Sequence, residues 1–254
     1  QNFTTATDAH NVAVGYNVGG LITTGIQNTL IGGLAGDALT DADYNVALGA
    51  SALTTDTLGS KSTAIGSGAL AAQNFTTATD ALNTAVGFYA GIGVTTGQRN
   101  VIVGGLAGDA LTDADDNVAI GAYALTADTL GSRSVAIGKE ALAAQNFTTA
   151  TNSYNTAVGA FAGNAVSTGI QNTLVGALSG DALTDADFNV AVGLGTLSAD
   201  TLGSKSTAIG YAALQTQNFT TATDTYNTAV GFDAGTAVTE AVKNTHVGGN
   251  AGVA

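Results

Sequence analysis

The sequence contains no proline, cysteine, methionine or tryptophan. Without cysteine there is no disulfide framework and no thiolate metal site, and the redox compartment goes unread. Without proline, every backbone N–H stays available, as an unbroken β ladder requires. Aromatic residues make up only 6% of the chain, and its apolar content is mainly Ala, Val, Leu and Ile, which offers little bulk for a wide core. Basic residues are scarce, six against nineteen acidic, for a net charge of −13. That balance repels phosphate backbones and anionic lipid, so neither nucleic acid nor a membrane is an expected partner. No uninterrupted apolar run of roughly eighteen residues is present, nor a basic-then-apolar leader. The chain starts and stops partway through a repeat and is expected to be a segment of a longer protein, with any targeting signal outside it.

What the chain has is glycine, 35 residues of it, and repetition. The word N-T-A-V-G at residues 83–87 recurs, with small variations, fourteen times: at Asn11, Asn28, Asn45, Ser62, Asn83, Asn100, Asn117, Ser134, Asn155, Asn172, Asn189, Ser206, Asn227 and Asn244. Successive copies are 17, 17, 17 and 21 residues apart, which makes a super-repeat of 72 residues beginning near Asn11, Asn83, Asn155 and Asn227. The longer interval always carries Q-N-F-T-T-A-T (Gln73, Gln145, Gln217), also the first residues of the chain. The second interval carries G-D-A-L-T-D-A-D (Gly36, Gly108, Gly180). Such a period is too short for helix-pair repeats and lacks the ladder of leucine-rich ones, but suits one turn of a solenoid. The fold class read from it is all-β, a parallel β-solenoid of about fourteen short coils, with residues 1–254 a single repetitive segment. At the ordinary strand spacing fourteen coils make a rod of roughly 65 Å.

Within the motif the second and fourth residues are β-branched or Leu in all fourteen copies. This two-residue alternation is that of a short strand with one face buried, and the β-branched set is read as the core. The third residue is Ala in ten copies, the exceptions being Leu30, Ile102, Leu174 and His246 in the second coil of each super-repeat. The invariant fifth residue, Gly, supplies a sharp bend. A further pattern, as in Phe88-Tyr89-Ala90-Gly91, suggests a second short strand. Asn opens eleven of the fourteen copies, and stacked amides are expected to hydrogen-bond along the solenoid as a ladder. A coil this thin returns about 1.5–3 kcal/mol per buried Val or Ile against an ordering cost of about 1–2 kcal/mol per residue. It is therefore marginal alone, and an Ala face packed against other chains supplies the missing burial. On that reading a bulky residue at Ala119 or Ala136 disrupts assembly far more than a change at Asp113.

The motif resembles the head repeats of YadA-like trimeric autotransporter adhesins, seen in Ser134-Val135-Ala136-Ile137-Gly138 and Ser62-Thr63-Ala64-Ile65-Gly66. It is also similar to bacteriophage tail-fibre repeats of the form N-T-A-V-G-x-x-A-G with a T-T-G-x-x-N connector, here at Asn83 to Gly91 and Asn155 to Gly163, with connectors at Thr24 to Asn28, Thr96 to Asn100 and Thr168 to Asn172. The likeness covers essentially the whole chain, though the spacing here is longer than in the adhesin heads. It implies a left-handed, homotrimeric β-roll in which the second and fourth motif residues point into the roll and the third points toward the trimer axis.

Candidate chemistry is sparse. The acidic loops Asp37/Asp41/Asp43, Asp109/Asp113/Asp115/Asp116 and Asp181/Asp185/Asp187 supply oxygen ligands of the kind Ca²⁺ takes, but lack the spacing of known calcium loops and read as solvated. Five of the six basic residues (Lys61, Arg99, Arg133, Lys205, Lys243) stand immediately before a motif and are expected to pair with acidic loops of neighbouring coils or chains. His246 falls at the axial position of the resemblance, where three copies would make a ring for an anion or metal; drift in the repeat is the plainer reading. His10 looks incidental. Asn2, Asn74, Asn146 and Asn218 each open an Asn-Phe-Thr glycosylation pattern, whose plain reading is a Thr-rich loop with Phe3, Phe75, Phe147 and Phe219 packed onto the roll. No catalytic, cofactor-binding or metal-ligating residue is assigned, no cofactor is expected, and the segment is not expected to be an enzyme.

The expected role is a shaft or head segment of a trimeric extracellular fibre, a virion tail fibre that spaces and presents a receptor-binding tip for host attachment. Its expected partners are itself and the rest of the fibre, with a cell-surface glycan or receptor as a further candidate. One alternative is the head of a bacterial surface adhesin that binds host or matrix surfaces. Another is a monomeric ice- or ligand-binding solenoid, disfavoured here because Thr at the second motif position is read as pointing inward.

Overall fold

A computed structural model describes Gln1 and residues 4–253. Fourteen of its short β-strands are the middle three residues of the fourteen motifs, from Val12–Val14 to Thr245–Val247, and no helix occurs among the described residues. The chain forms two compact units, Gln1–Tyr123 and Ala124–Ala254. Each holds seven motif strands in one parallel ladder. The protein is thus an all-β parallel solenoid. Like positions pair with like, Thr84 with Val101, Ala85 with Ile102 and Val86 with Val103. The longer interval leaves this pairing unchanged, since Thr63, Ala64 and Ile65 still face Thr84, Ala85 and Val86. The four extra residues are taken up in the loop.

The second strand lies elsewhere than the sequence suggests. Phe88 to Gly91 is a turn, in which Tyr89 and Gly91 adopt left-handed φ of 55° and 58°. Additional pairing occurs instead between the third and fourth coils of each super-repeat, where Gly59–Ser60 meets Thr79–Asp80, Gly131–Ser132 meets Thr151–Asn152, and Gly203–Ser204 meets Thr223–Asp224.

The orientation of the motif strand is the reverse of the one expected. The third residue points into the coil: Ala47, Ala64, Ala85, Ala119, Ala136, Ala157, Ala191, Ala208 and Ala229 are fully buried within one chain, as are Leu30, Ile102 and Leu174. The second and fourth residues lie on the outer face, half-buried or exposed. The reason is the narrowness of the coil. Under the strand lie the turn's own Ala, such as Ala90, and large side chains from other positions, Leu39, Leu53, Leu70, Leu111, Leu125 and Leu142 among them. Little more than a methyl fits beneath most strands. A larger third residue is accommodated by glycines across the core: a Cβ on Gly36 would come within 3.0 Å of Leu30, and one on Gly91 within 2.8 Å of Ile102.

The first motif residue shares the inner face. Asn83 is fully buried; its Nδ2 donates to Gly97 O of its own coil at 2.7 Å and its Oδ1 accepts from Asn100 N of the next at 2.9 Å. Asn28 repeats this with Ala42 O and Asn45 N. The expected amide ladder therefore exists, but mainly as pairs of amide-to-backbone bonds, one of which closes the coil while the other ties it to its neighbour. The fifth residue, Gly, adopts φ between 120° and 143° in all fourteen copies.

Candidate functional site

Because the third residue is internal, the outer face of each unit's sheet is built from the second and fourth residues. The fourth is Val, Ile or Leu in every coil, while the second is Thr or Val. In the middle of the first unit Leu48 and Val101 remain 43% and 38% exposed. Beyond the motif Gly stand further exposed aromatics, including Phe88, Tyr211 and Phe232, the last two stacked with centroids 5.0 Å apart. Thr29, Thr63, Thr84, Thr156 and the other threonines at the second position thus face outward, contrary to the inward reading that counted against ice binding.

One edge of this face is marked by the residue before each motif, which has left-handed φ of 50° to 64° in all fourteen coils. His10 and five of the six basic residues stand here. Arg99 pairs with Asp115 and Asp116 of an acidic loop at 3.2 and 2.6 Å, as expected, and these carboxylates hold its pKa above the usual value, the Asp116 hydrogen bond most. Lys61 and Lys205 pair instead with Asp80 and Asp224 in the loop of the fourth coil. The Lys205 hydrogen bond holds the Asp224 carboxyl below its ordinary range. Arg133 donates to the Tyr154 hydroxyl at 2.7 Å and lies over its ring. All are solvent-screened contacts that contribute little to stability.

The acidic loops serve the connector of the preceding coil. Thr96 and Thr168 donate to Asp113 and Asp185 at 2.7 and 2.6 Å, and the backbone N–H groups of Gln98 and Ile170 donate to Asp115 and Asp187 at 2.8 and 2.7 Å. Thr24 and Ile26 do the same for Asp41 and Asp43. This explains why T-T-G or S-T-G in one coil precedes D-A-D in the next. Among the described residues no three acidic or histidine side chains gather as a metal site.

No protein-family model matches the chain, and no curated protein matches it either.

His246 occupies the inward third position, with its Nε2 buried and without a partner, so it points into the coil rather than toward an axis shared between chains. Phe75, Phe147 and Phe219 are buried against the coil, whereas Asn146 and Asn218 are exposed and Asn74 half-buried. Asn2 and Phe3 lie outside the described residues.

Sequence reasoning missed one constellation altogether. Asp56, Asp128 and Asp200, in the third coil of each super-repeat, are fully buried. Asp128 Oδ1 accepts from the N–H groups of Gly131 and Phe147, both at 3.0 Å, and Oδ2 from Gln145 Nε2 at 2.6 Å. Gln145 also donates to Ser134 at 2.9 Å, and its Oε1 accepts from Asn155 at 2.9 Å. The same chain of bonds joins Asp56 to Gln73 and Asn83, and Asp200 to Gln217 and Asn227. A signal was present: Asp56 and Gln73 stand twelfth in their coils, where Ile22, Leu39 and Val94 are core residues.

Burial pushes the Asp128 carboxyl above its ordinary range, against the pull of the hydrogen bonds from Gln145 and the backbone. A folded-state value above the unfolded one favours the native state most below the unfolded value, and that contribution is lost as pH rises through the folded value. Gln145→Leu, which removes the donor to a buried carboxylate, should therefore destabilise the protein by about 2–3 kcal/mol at neutral pH. The deficit should shrink in mild acid as the carboxyl protonates. Equilibrium denaturation of both proteins at the two conditions checks this, and an equal deficit in both would count against it.

Proposed function

We propose that the chain is a structural segment of a homotrimeric extracellular fibre, a bacteriophage tail fibre that spaces and presents a receptor-binding tip during host attachment. The observation that carries the reading is where the hydrogen bonds go. Within each unit the coils hand their backbone donors to the coil beside them, and the buried Asn amides and the carboxylates of the acidic loops bond across the joints where they occur. Such a molecule gains stability by lengthening, as a shaft under mechanical stress requires. The repeat's resemblance to tail-fibre and adhesin-head sequences supports the trimer, as does the aliphatic surface that a single chain leaves in water.

The test is the mass in solution. Sedimentation equilibrium or light scattering should give three times the 24.7 kDa of one chain, with no dissociation on dilution through the micromolar range. A mass of one chain would overturn the trimer.

The outward threonines favour a second reading, a monomeric ice-binding solenoid. It calls for a single-chain mass together with inhibition of ice recrystallisation. The six coils with Val at the second position (Val12, Val46, Val101, Val118, Val135, Val190) weigh against it, since they interrupt the hydroxyl array.

A further inference from the structure

We infer that copies of this chain meet side by side and in parallel through the outer faces of their sheets, the second and fourth motif residues, and not through the small third residue. The inference rests on the homo-oligomeric reading and names its contact.

The inner face is fully used within the chain, since the first and third motif residues are buried in their own coil. What remains is the outer face, and its composition departs from the rest of the surface. Fourteen coils give twenty-eight second and fourth positions, and none carries a charge, in a chain of net charge −13. Two copies repel one another unless they approach through a surface free of acid groups. Of the five basic residues beside the motif, Lys61, Arg99 and Lys205 already neutralise carboxylates of their own chain.

Extent points the same way. Seven strands at the usual spacing, with two outward ranks some two residues apart, make an uncharged patch of roughly 400 Å² per unit, in which the fourth-position rank is wholly aliphatic and the second-position rank is Val or Thr. That is already the size of the largest patch on a typical monomer, about 300–600 Å².

Periodicity selects the partner. The face repeats at the strand spacing, coil after coil, with Val, Ile or Leu always in the fourth place. A surface that matches this period over seven coils, with equal polarity at each step, is another copy of the same face. β-branched side chains on a pleated surface interlock with their own kind at that repeat.

The absence of cysteine makes the test direct. Val86→Cys and Val158→Cys place a lone thiol on the outer face, and Asp113→Cys places one on an acidic loop as control. A short bismaleimide should join two chains in high yield for the first two and not for the third. In parallel, Val86→Lys combined with Val158→Lys should reduce the solution mass threefold, from three chains to one. Both side chains are outward, so the far-ultraviolet circular dichroism of the β-solenoid should persist. If the lysine variant keeps the wild-type mass, the face is not the contact although the oligomer stands. If the mass falls but the face cysteines fail to cross-link, the faces meet but the parallel arrangement is wrong. A wild-type protein that is itself a single chain overturns the oligomer and this contact together.

Discussion

Gly159→Ala is expected to lower the melting temperature by on the order of 10 °C, the effect of about 3 kcal/mol in a chain of this size. Gly159 has φ of 141°, a conformation essentially reserved for glycine, which alone costs another residue about 1–3 kcal/mol. Space adds to the cost. A Cβ there would lie 2.5 Å from the carbonyl carbon and oxygen of Gly176 and 2.8 Å from Ala177 N. All three are backbone atoms of the next coil and cannot rotate away. The obstruction also recurs along the stack, since a Cβ on Gly138 would stand 2.4 Å from Gly159 O. Gly33→Ala is the control. Nothing lies within 4 Å of the place its methyl would take, and its φ is ordinary, so it should melt within about a degree of the parent. Thermal denaturation of the two variants decides the matter, and a neutral Gly159→Ala would mean that the coils are not stacked at this distance.

The second large effect distinguishes the inside of the motif from its outside. Ala157→Leu should destabilise the fold by about 1–3 kcal/mol, because it forces extra carbons into a filled core. Leu174→Ala, in the strand it pairs with, should cost about 2–5 kcal/mol by leaving a cavity. Val158→Lys, one residue from Ala157, should change chain stability by less than about 0.5 kcal/mol when measured under conditions where the chains are dissociated. Denaturant titration supplies all three values. If Val158→Lys proved the costly change and Ala157→Leu the harmless one, the strand would face the other way.

That orientation is where the sequence was hardest to interpret. The repeat, its period, the parallel stacking and the strand position were legible, because recurrence at fixed spacing leaves few architectures. The inward side was not, because Thr-Ala-Val is apolar on both faces and alternation alone cannot say which face is covered. Hydrophobicity favoured the β-branched pair, and the coil is too narrow for it. Two clues in the sequence give the right answer. Asn83 and its equivalents have the parity of the third residue, and a buried amide that closes the coil fixes that parity as inward. The ninth residue of the coil also answers to the third: it is Gly in the coils that carry Leu30, Ile102 and Leu174 (Gly36, Gly108, Gly180) and in the coils just before them (Gly19, Gly91, Gly163), and Leu in the other two coils (Leu53, Leu70, Leu125, Leu142), where the third residue is alanine. Residues that trade volume share a cavity. Buried Asp128 escaped notice for the opposite reason, since a carboxylate among Ala and Thr reads as a loop residue until its hydrogen bonds are seen.

The buried Asp–Gln–Asn chain has a further consequence for a protein made of near-identical turns. A coil that docked one turn too early would still match strand to strand, and alanine would still meet alanine or leucine. It would also set Asp128 against Val166 in place of Gln145, or Gln145 against a leucine in place of Asp128, leaving a charge or an amide buried without a partner, a penalty several times that of an imperfect aliphatic contact. Once in every 72 residues, the polar core thus acts as a counting mark. It lets a monotonous chain tell its own turns apart while it folds, and it rejects assemblies that have skipped or repeated one.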